Sequence, residues 1–305
     1  MRAVQIDRFG TPDVLTIVEA PRPEPGPGDV LIRTVATSLN PVDDKTRAGA
    51  IAGLTLTGPM TLGWDLAGIV VDGGDSAFDP GDRVIAMSHQ LSTGRGTWAD
   101  LVSLPSSSVA PAPDTVSLPE AATLPLPGLT AWQTLDWLRL APGQRLLITG
   151  AAGAVGGLAL QIAAARGITV DALVSRSAQT AFAHDHGAAF ATTDPTALTP
   201  RTYDAVLDTY GAFLTPAVTE AVTDGGRLAS IATEAGPVPD LSPRAIRTTT
   251  HQVHEDGPSL TALTHLVNAG ALHPRLHTTY PLHHLHPAHT HLHTGSLPGK
   301  IAITF

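Results

Sequence analysis

One glycine-rich stretch sets the terms for the whole chain. Residues 144–176 read Q-R-L-L-I-T-G-A-A-G-A-V-G-G-L-A-L-Q-I-A-A-A-R-G-I-T-V-D-A-L-V-S-R. Arg145 to Thr149 is a short apolar run suited to a buried parallel strand. Val155, Leu158, Ala159, Ile162 and Ala165 then recur at helical spacing. Gly167 ends that helix, and Ile168 to Val174 is a second apolar strand. The stretch is predicted to be one βαβ unit, with Gly150, Gly153, Gly156 and Gly157 where strand turns into helix.

That position has a chemistry of its own. The first turn of a helix carries N–H groups with no internal partner, and the helix dipole adds positive charge there. A pyrophosphate is stabilised at this end if the backbone can approach it, which side chains at Gly153 or Gly156 would prevent. A glycine pattern between strand and helix, in a unit of this length, predicts a dinucleotide site. A purely structural tight turn is the competing reading. The candidate contacts on the turn are Gly150, Ala152, Gly153, Ala154, Val155 and Gly156.

The tip of the second strand bears on which dinucleotide is bound. NAD sites place an acidic residue roughly 20 positions downstream, on the ribose 2′-hydroxyl. Here Ser175, nineteen residues after Gly156, is followed by Arg176 and Ser177, and Asp171 lies too early in the strand. A hydroxyl and a guanidinium suit a 2′-phosphate. NADP(H) is the expected cofactor; the alternative is that Arg176 only solvates a loop.

The rest of the chain extends this frame. At 305 residues there is room for two domains, and 43% apolar residues make the chain globular. A net charge of −9 argues against nucleic acid or an anionic membrane as partner. Cysteine is absent, which removes disulfides, thiolate catalysis and cysteine-bound zinc. No run is long enough to span a membrane, and Met1 to Gly10 does not read as a signal core, so a cytoplasmic protein is expected.

Alternating patches between Arg2 and Leu104, punctuated by proline and glycine, predict a β-rich domain. A proline-rich crossing at Pro105 to Pro119 marks its limit. Glu120 to Leu140 is predicted to form two helices around breakers at Pro125, Pro127 and Gly128. Strands at Ala205–Leu207, Gly226–Ile231 and Ile246–Val253 alternate with helices at Ala178–His186 and Phe213–Val222. A helix at Ser259–Asn268 follows. This alternation predicts a doubly wound parallel sheet, with Gly150, Ser175, Asp208, Thr209 and Ile231 on its ligand rim. Ile301 to Phe305 is β-like and is expected to pair back with the N-terminal domain. The expected division is 1–119, 120–260 and a return at 261–305.

Several further motifs resemble one family. They are S-L-N-P-V-D-D-K-T-R at Ser38 to Arg47, L-G-W-D-L-A-G at Leu62 to Gly68, G-D-R-V at Gly81 to Val84 and G-T-W-A at Gly96 to Ala99. L-P-L-P-G-L-T-A-W at Leu124 to Trp132, Y-D-A-V-L-D at Tyr203 to Asp208 and G-K-I at Gly299 to Ile301 complete the set. In this order they resemble the zinc-free quinone oxidoreductase branch of the medium-chain dehydrogenase/reductase superfamily. The resemblance implies a GroES-like catalytic domain, a Rossmann domain and a homodimer. It also implies hydride transfer from NADPH to a quinone or an activated C=C bond, in an enone or enoyl thioester. Zinc-dependent relatives carry a histidine ligand where Gly63, Trp64 and Asp65 stand here, so no metal is expected. Gln179 and Asp194 replace a lysine and a tyrosine that help grip the 2′-phosphate in many relatives.

By the same resemblance, Asn40 lines the nicotinamide and substrate cleft, and Thr130 and Lys300 lie on the cofactor. Asp43 and Lys45 are the nearby polar residues: Lys45 stabilises an enolate or donates a proton, or the two form a structural pair. Trp64 is a pocket wall or core. On a helix through Leu285 to His293, His286, His289 and His293 share a face, and solvent exposure is expected for them rather than a metal. Two other functions stay open. One is a nucleotide-binding structural or regulatory protein without turnover; the other is an enoyl reductase dedicated to one biosynthetic intermediate.

Overall fold

The computed structural model describes residues 1–293 and 297–305. Residues 294–296, within the expected C-terminal return, lie outside the described residues. The chain divides into two units. The first holds Met1–Leu126, His254–Gly270 and Pro274–Phe305; the second holds Pro127–Val253 and Ala271–His273. The crossings therefore fall at 126/127 and 253/254, against the expected 119/120 and 260/261. Polar anchoring accounts for both shifts. The Leu126 amide donates to the Asp65 carboxylate at 2.6 Å, and the His89 amide donates to Glu255 Oε1 at 2.7 Å.

The first unit is built on a seven-stranded sheet. Its order is Leu276–Pro281, Lys300–Thr304, Asp29–Ser38, Asp65–Asp72, Arg83–Met87 and Val109–Pro111, with Leu101–Pro105 also on Asp29–Ser38. The C-terminal strand lies antiparallel to Asp29–Ser38, pairing Ala302 with Ser38, so both ends of the chain complete this unit as expected. Asp29–Ser38 is buried along nearly its whole length, which suits its apolar run V-L-I and its central place. Val30, Ile32, Leu66, Val70, Val84 and Leu104 pack as one core. Each such side chain contributes about 1.5–3 kcal/mol on burial.

The second unit is a six-stranded parallel sheet. It runs Ala188–Thr192, Thr169–Leu173, Arg145–Thr149, Tyr203–Asp208, Val222–Ser230, Arg247–Thr250. Numbered along the chain, that order is 3-2-1-4-5-6, the doubly wound arrangement whose ligand crevice opens between strands 1 and 4. Arg145–Thr149 and the helix Ala154–Ala165 are thus central, as the glycine stretch predicts.

Two local expectations need correction. The break in the first helical region falls at Ala122–Leu124, between helices Leu118–Ala121 and Pro125–Leu138. Pro125 and Pro127 sit in the first turn of the second helix, where a missing N–H costs nothing, so they start the helix instead of splitting it. Phe213–Val222 is not one helix. A single turn at Ala212–Leu214 precedes the short helix Pro216–Glu220, and Val222 already belongs to the next strand.

Candidate active site

In the second unit the glycine turn lies at the switch point of the sheet. Gly150 has a φ of 64°, and a side chain there would meet Thr209 Oγ1 at 2.2 Å. Thr209 Oγ1 in turn donates to the Thr149 carbonyl at 2.8 Å, so strands 1 and 4 are tied together at their carboxyl ends. Gly156 is buried, and a Cβ on it would lie 2.3 Å from the Gly150 carbonyl. Its bareness lets the helix pack against the turn. Gly153 differs. It is exposed and has an ordinary extended backbone (φ −74°, ψ 178°). Ala154 is exposed and Val155 half-buried beside it, while Ala152 is buried. The helix therefore presents its amino end outward, as a diphosphate requires.

The neighbouring strand tips sort the other candidates. Ser175 and Arg176 are exposed at the end of Thr169–Leu173, and Ser175 Oγ donates to Gln179 Oε1 at 3.0 Å. Asp171 is buried, paired with Arg145 at 2.7 Å and accepting the Tyr203 hydroxyl at 2.8 Å. No carboxylate of this strand is left for a ribose. Asp208, expected on the rim, is wholly buried. It accepts from Thr149 Oγ1 (2.6 Å), Ser230 Oγ (2.8 Å), Gly211 N (2.9 Å) and Ala212 N (2.8 Å). Four donors fill both carboxylate oxygens, so Asp208 staples the switch point together. Ile231 is half-buried at the next tip. Thr130 sits buried in the second turn of its helix, Pro125–Leu138.

In the first unit the structure gathers Asn40, Asp43 and Lys300 around a residue the sequence reading left unassigned, Asp65. Asn40 caps the helix Pro41–Ala48. Its Nδ2 donates to Asp65 Oδ2 at 2.8 Å, and its backbone N–H donates to Asp43 Oδ2 at 2.9 Å. Lys300 Nζ donates to Asn40 Oδ1 and, at 3.2 Å, to Asp65 Oδ2, while Ser38 Oγ donates to the same carboxylate. All five side chains are buried. The Asn40 amide is thereby fixed at both ends. Burial, then the neighbouring Asp65 carboxylate, push the Asp43 carboxyl up to about 8, against the Asn40 N–H and Lys300. The protonated form of Asp43 is favoured accordingly. A signal for Asp65 was present in the sequence, since a carboxylate inside W-D-L-A must be paired if that run is a buried strand.

Lys45 lies on the same helix, half-buried, but the cation that meets Asp65 and Asn40 is Lys300. Trp64 is buried with its ring edge-on to His89, centroids 4.6 Å apart. On the helix Leu285–His293, His286 and His293 are exposed as expected, but His289 is fully buried, which corrects its placement. It is one turn beyond Leu285 and so falls on the apolar stripe, ring edge toward Trp98.

A two-unit assembly of this kind, with a strand-completed β-rich half and a doubly wound nucleotide-type half, defines a dehydrogenase/reductase architecture. Residues 26–114 match the alcohol dehydrogenase GroES-like domain family, and residues 170–303 match the zinc-binding dehydrogenase family. Quinone oxidoreductase of Mus musculus is 36% identical over 174 residues, covering 56% of this chain and 51% of its own. A trans-enoyl reductase of Aspergillus flavipes is 37% identical over 176 residues, covering 53% and 51%. The chain thus spans about half the length of the curated relatives it matches. A mycobacterial protein solved in complex with NADPH superposes with a TM-score of 0.83 at 26% identity, over 100% of both chains. The chain belongs to the medium-chain dehydrogenase/reductase superfamily, in its quinone oxidoreductase-like branch. The chain has no cysteine, and among the described residues no group of three or more His, Asp or Glu is placed to hold a metal ion.

Proposed function

We propose that the chain is an NADPH-dependent oxidoreductase that passes hydride to a quinone or to the activated C=C of an α,β-unsaturated carbonyl, without zinc. The observation that carries this reading is the exposed helix start at Gly153, at the switch point of a 3-2-1-4-5-6 sheet. The backbone of Gly150, Ala152, Gly153, Ala154, Val155 and Gly156 forms the diphosphate cradle. Thr130, Thr209 and Ile231 are assigned to the same cofactor, with Asp208 acting by holding the turn. Ser175 and Arg176 take the 2′-phosphate. Their exposure and the internal pairing of Asp171 favour NADPH over NADH. The names of the relatives, quinone oxidoreductase and trans-enoyl reductase, support the acceptor classes.

When bound, the dinucleotide supplies the hydride. The protein's own work is orientation and charge control. Lys300, paired with Asp65 and Asn40, puts one positive charge in a buried polar cluster and holds the Asn40 amide rigid. Asp43, whose burial beside Asp65 favours its protonated form, limits the negative charge of that cluster. Asn40 and Trp64 face the acceptor, Lys45 is assigned to the proton path, and water delivers the final proton. The reading includes a homodimer, as the family implies, and a cytoplasmic setting; among the described residues no helix is long and apolar enough to cross a membrane.

The test is NADPH oxidation with a panel of quinones, enones and enoyl thioesters. Turnover with at least one class, and a preference for NADPH over NADH, is expected. Tight NADPH binding with no turnover on any of them would favour the nucleotide-binding structural role instead.

A further inference from the structure

Beside the polar cluster, the first unit holds a second group of buried polar atoms. Trp64 is 3% exposed, yet its indole Nε1 has no hydrogen-bond partner among the described residues. Gln90 is fully buried, and neither Oε1 nor Nε2 of its amide is bonded. The two residues belong to one locality. The Ser88 amide donates to the Trp64 carbonyl at 2.8 Å, the Gln90 amide donates to the Ser88 carbonyl at 2.9 Å, and the intervening His89 ring packs edge-on against Trp64.

This locality is rigid. Gly63, at φ 111°, leads into Trp64, and its carbonyl accepts from Thr97 N at 3.1 Å. The His89 amide is held by Glu255 Oε1 at 2.7 Å. Next in sequence after Trp64 stands Asp65, the centre of the Asn40–Lys300 cluster. Buried donors without partners are costly in a folded protein, and a stiff frame denies these groups the freedom to seek partners elsewhere. A site built this way favours a ligand that supplies the missing acceptor.

We propose that Trp64 Nε1–H and Gln90 Nε2–H are the hydrogen-bond donors for the carbonyl oxygen of the acceptor, and that they select for quinones and conjugated ketones. This rests on the oxidoreductase reading above. Hydride addition at the β-carbon of an enone oxidises the dihydronicotinamide to the pyridinium and moves the C=C electron pair onto the carbonyl oxygen. The two N–H groups stabilise that charge, and water then protonates the α-carbon. For a quinone, one hydride and one proton give the hydroquinone. Its new O–H finds an acceptor in Gln90 Oε1, so the same amide serves both oxidation states.

The experiment uses Trp64→Phe and Gln90→Met in the full chain, with duroquinone as the probe. Binding is measured by calorimetry without reduced cofactor, and kcat/KM with NADPH. Each substitution is expected to weaken duroquinone binding and kcat/KM by about tenfold, with the Kd for NADPH unchanged. If one variant fails to fold, the other decides. Unchanged duroquinone binding in a folded variant would overturn the proposal and assign those atoms to solvent, as would failure of the unaltered protein to bind duroquinone. Binding that depends on Trp64 and Gln90, but without turnover in the unaltered protein, would sink the oxidoreductase reading alone.

Discussion

The two units hold polar chemistry in opposite ways. At the glycine turn the backbone geometry is set by what is missing, the Cβ atoms of Gly150 and Gly156. In the Asn40–Asp65–Lys300 cluster the groups are side chains, and their geometry is set by bonds among themselves. A backbone cradle depends on steric room and tolerates changes in most nearby side chains. A cluster of buried charges depends on every member, because removing one strands the others.

The largest effect should follow from breaking the cluster at its centre. Asp65→Asn removes the charge that pairs Lys300 and turns an amide donor toward groups that already donate. A loss of about 3–5 kcal/mol in unfolding free energy is expected from denaturant titration. His289 gives the next effect, also in the first unit. Its burial lowers its pKa from 6.5 to about 4. The nearest acid, Asp44, is 3.8 Å away, beyond hydrogen-bond range. With the folded value depressed, stability is intact above about pH 6.5 and falls as pH drops toward 4. His289→Phe should flatten that fall, which amounts to about 3 kcal/mol for a shift of this size. Thermal midpoints between pH 7 and pH 4, compared for the two proteins, check it.

Smaller effects should sharpen the contrast from the backbone side. Gly156→Ala drives a Cβ to 2.3 Å from the Gly150 carbonyl, so the helix must shift. A loss of about 1–3 kcal/mol in stability and weaker NADPH binding are expected together. Arg176→Ala touches only an exposed side chain. It should leave stability alone and weaken NADPH by about tenfold, with NADH unaffected. Equal losses for both cofactors would remove Arg176 from the 2′-phosphate.

The sequence carried the second unit better than the first. Glycine spacing and helical periodicity are local signals, and they located Arg145–Thr149 and the helix Ala154–Ala165 correctly. The pairing of Lys300 with Asn40 spans 260 positions, and no periodicity encodes it. Asp208 illustrates the same limit. Its place at a strand tip was legible, but not that four donors from three segments converge on it. His289 was misplaced because histidine was weighed as a polar residue, whereas its position on the helix stripe decided its burial. The proline breakers misled for a related reason, since proline's effect depends on which turn of a helix it occupies.

The central claim is that a dinucleotide lies against the helix that starts at Gly153, and Gly153→Val tests it most directly. The backbone there is one any residue adopts, and a Cβ would touch only the Gly150 carbonyl, at 3.1 Å. The fold should therefore survive while the approach of a diphosphate is blocked. Calorimetric titration with NADPH should give a Kd weakened by about tenfold or more, at an almost unchanged melting temperature. An unaltered Kd in the folded variant would contradict the account.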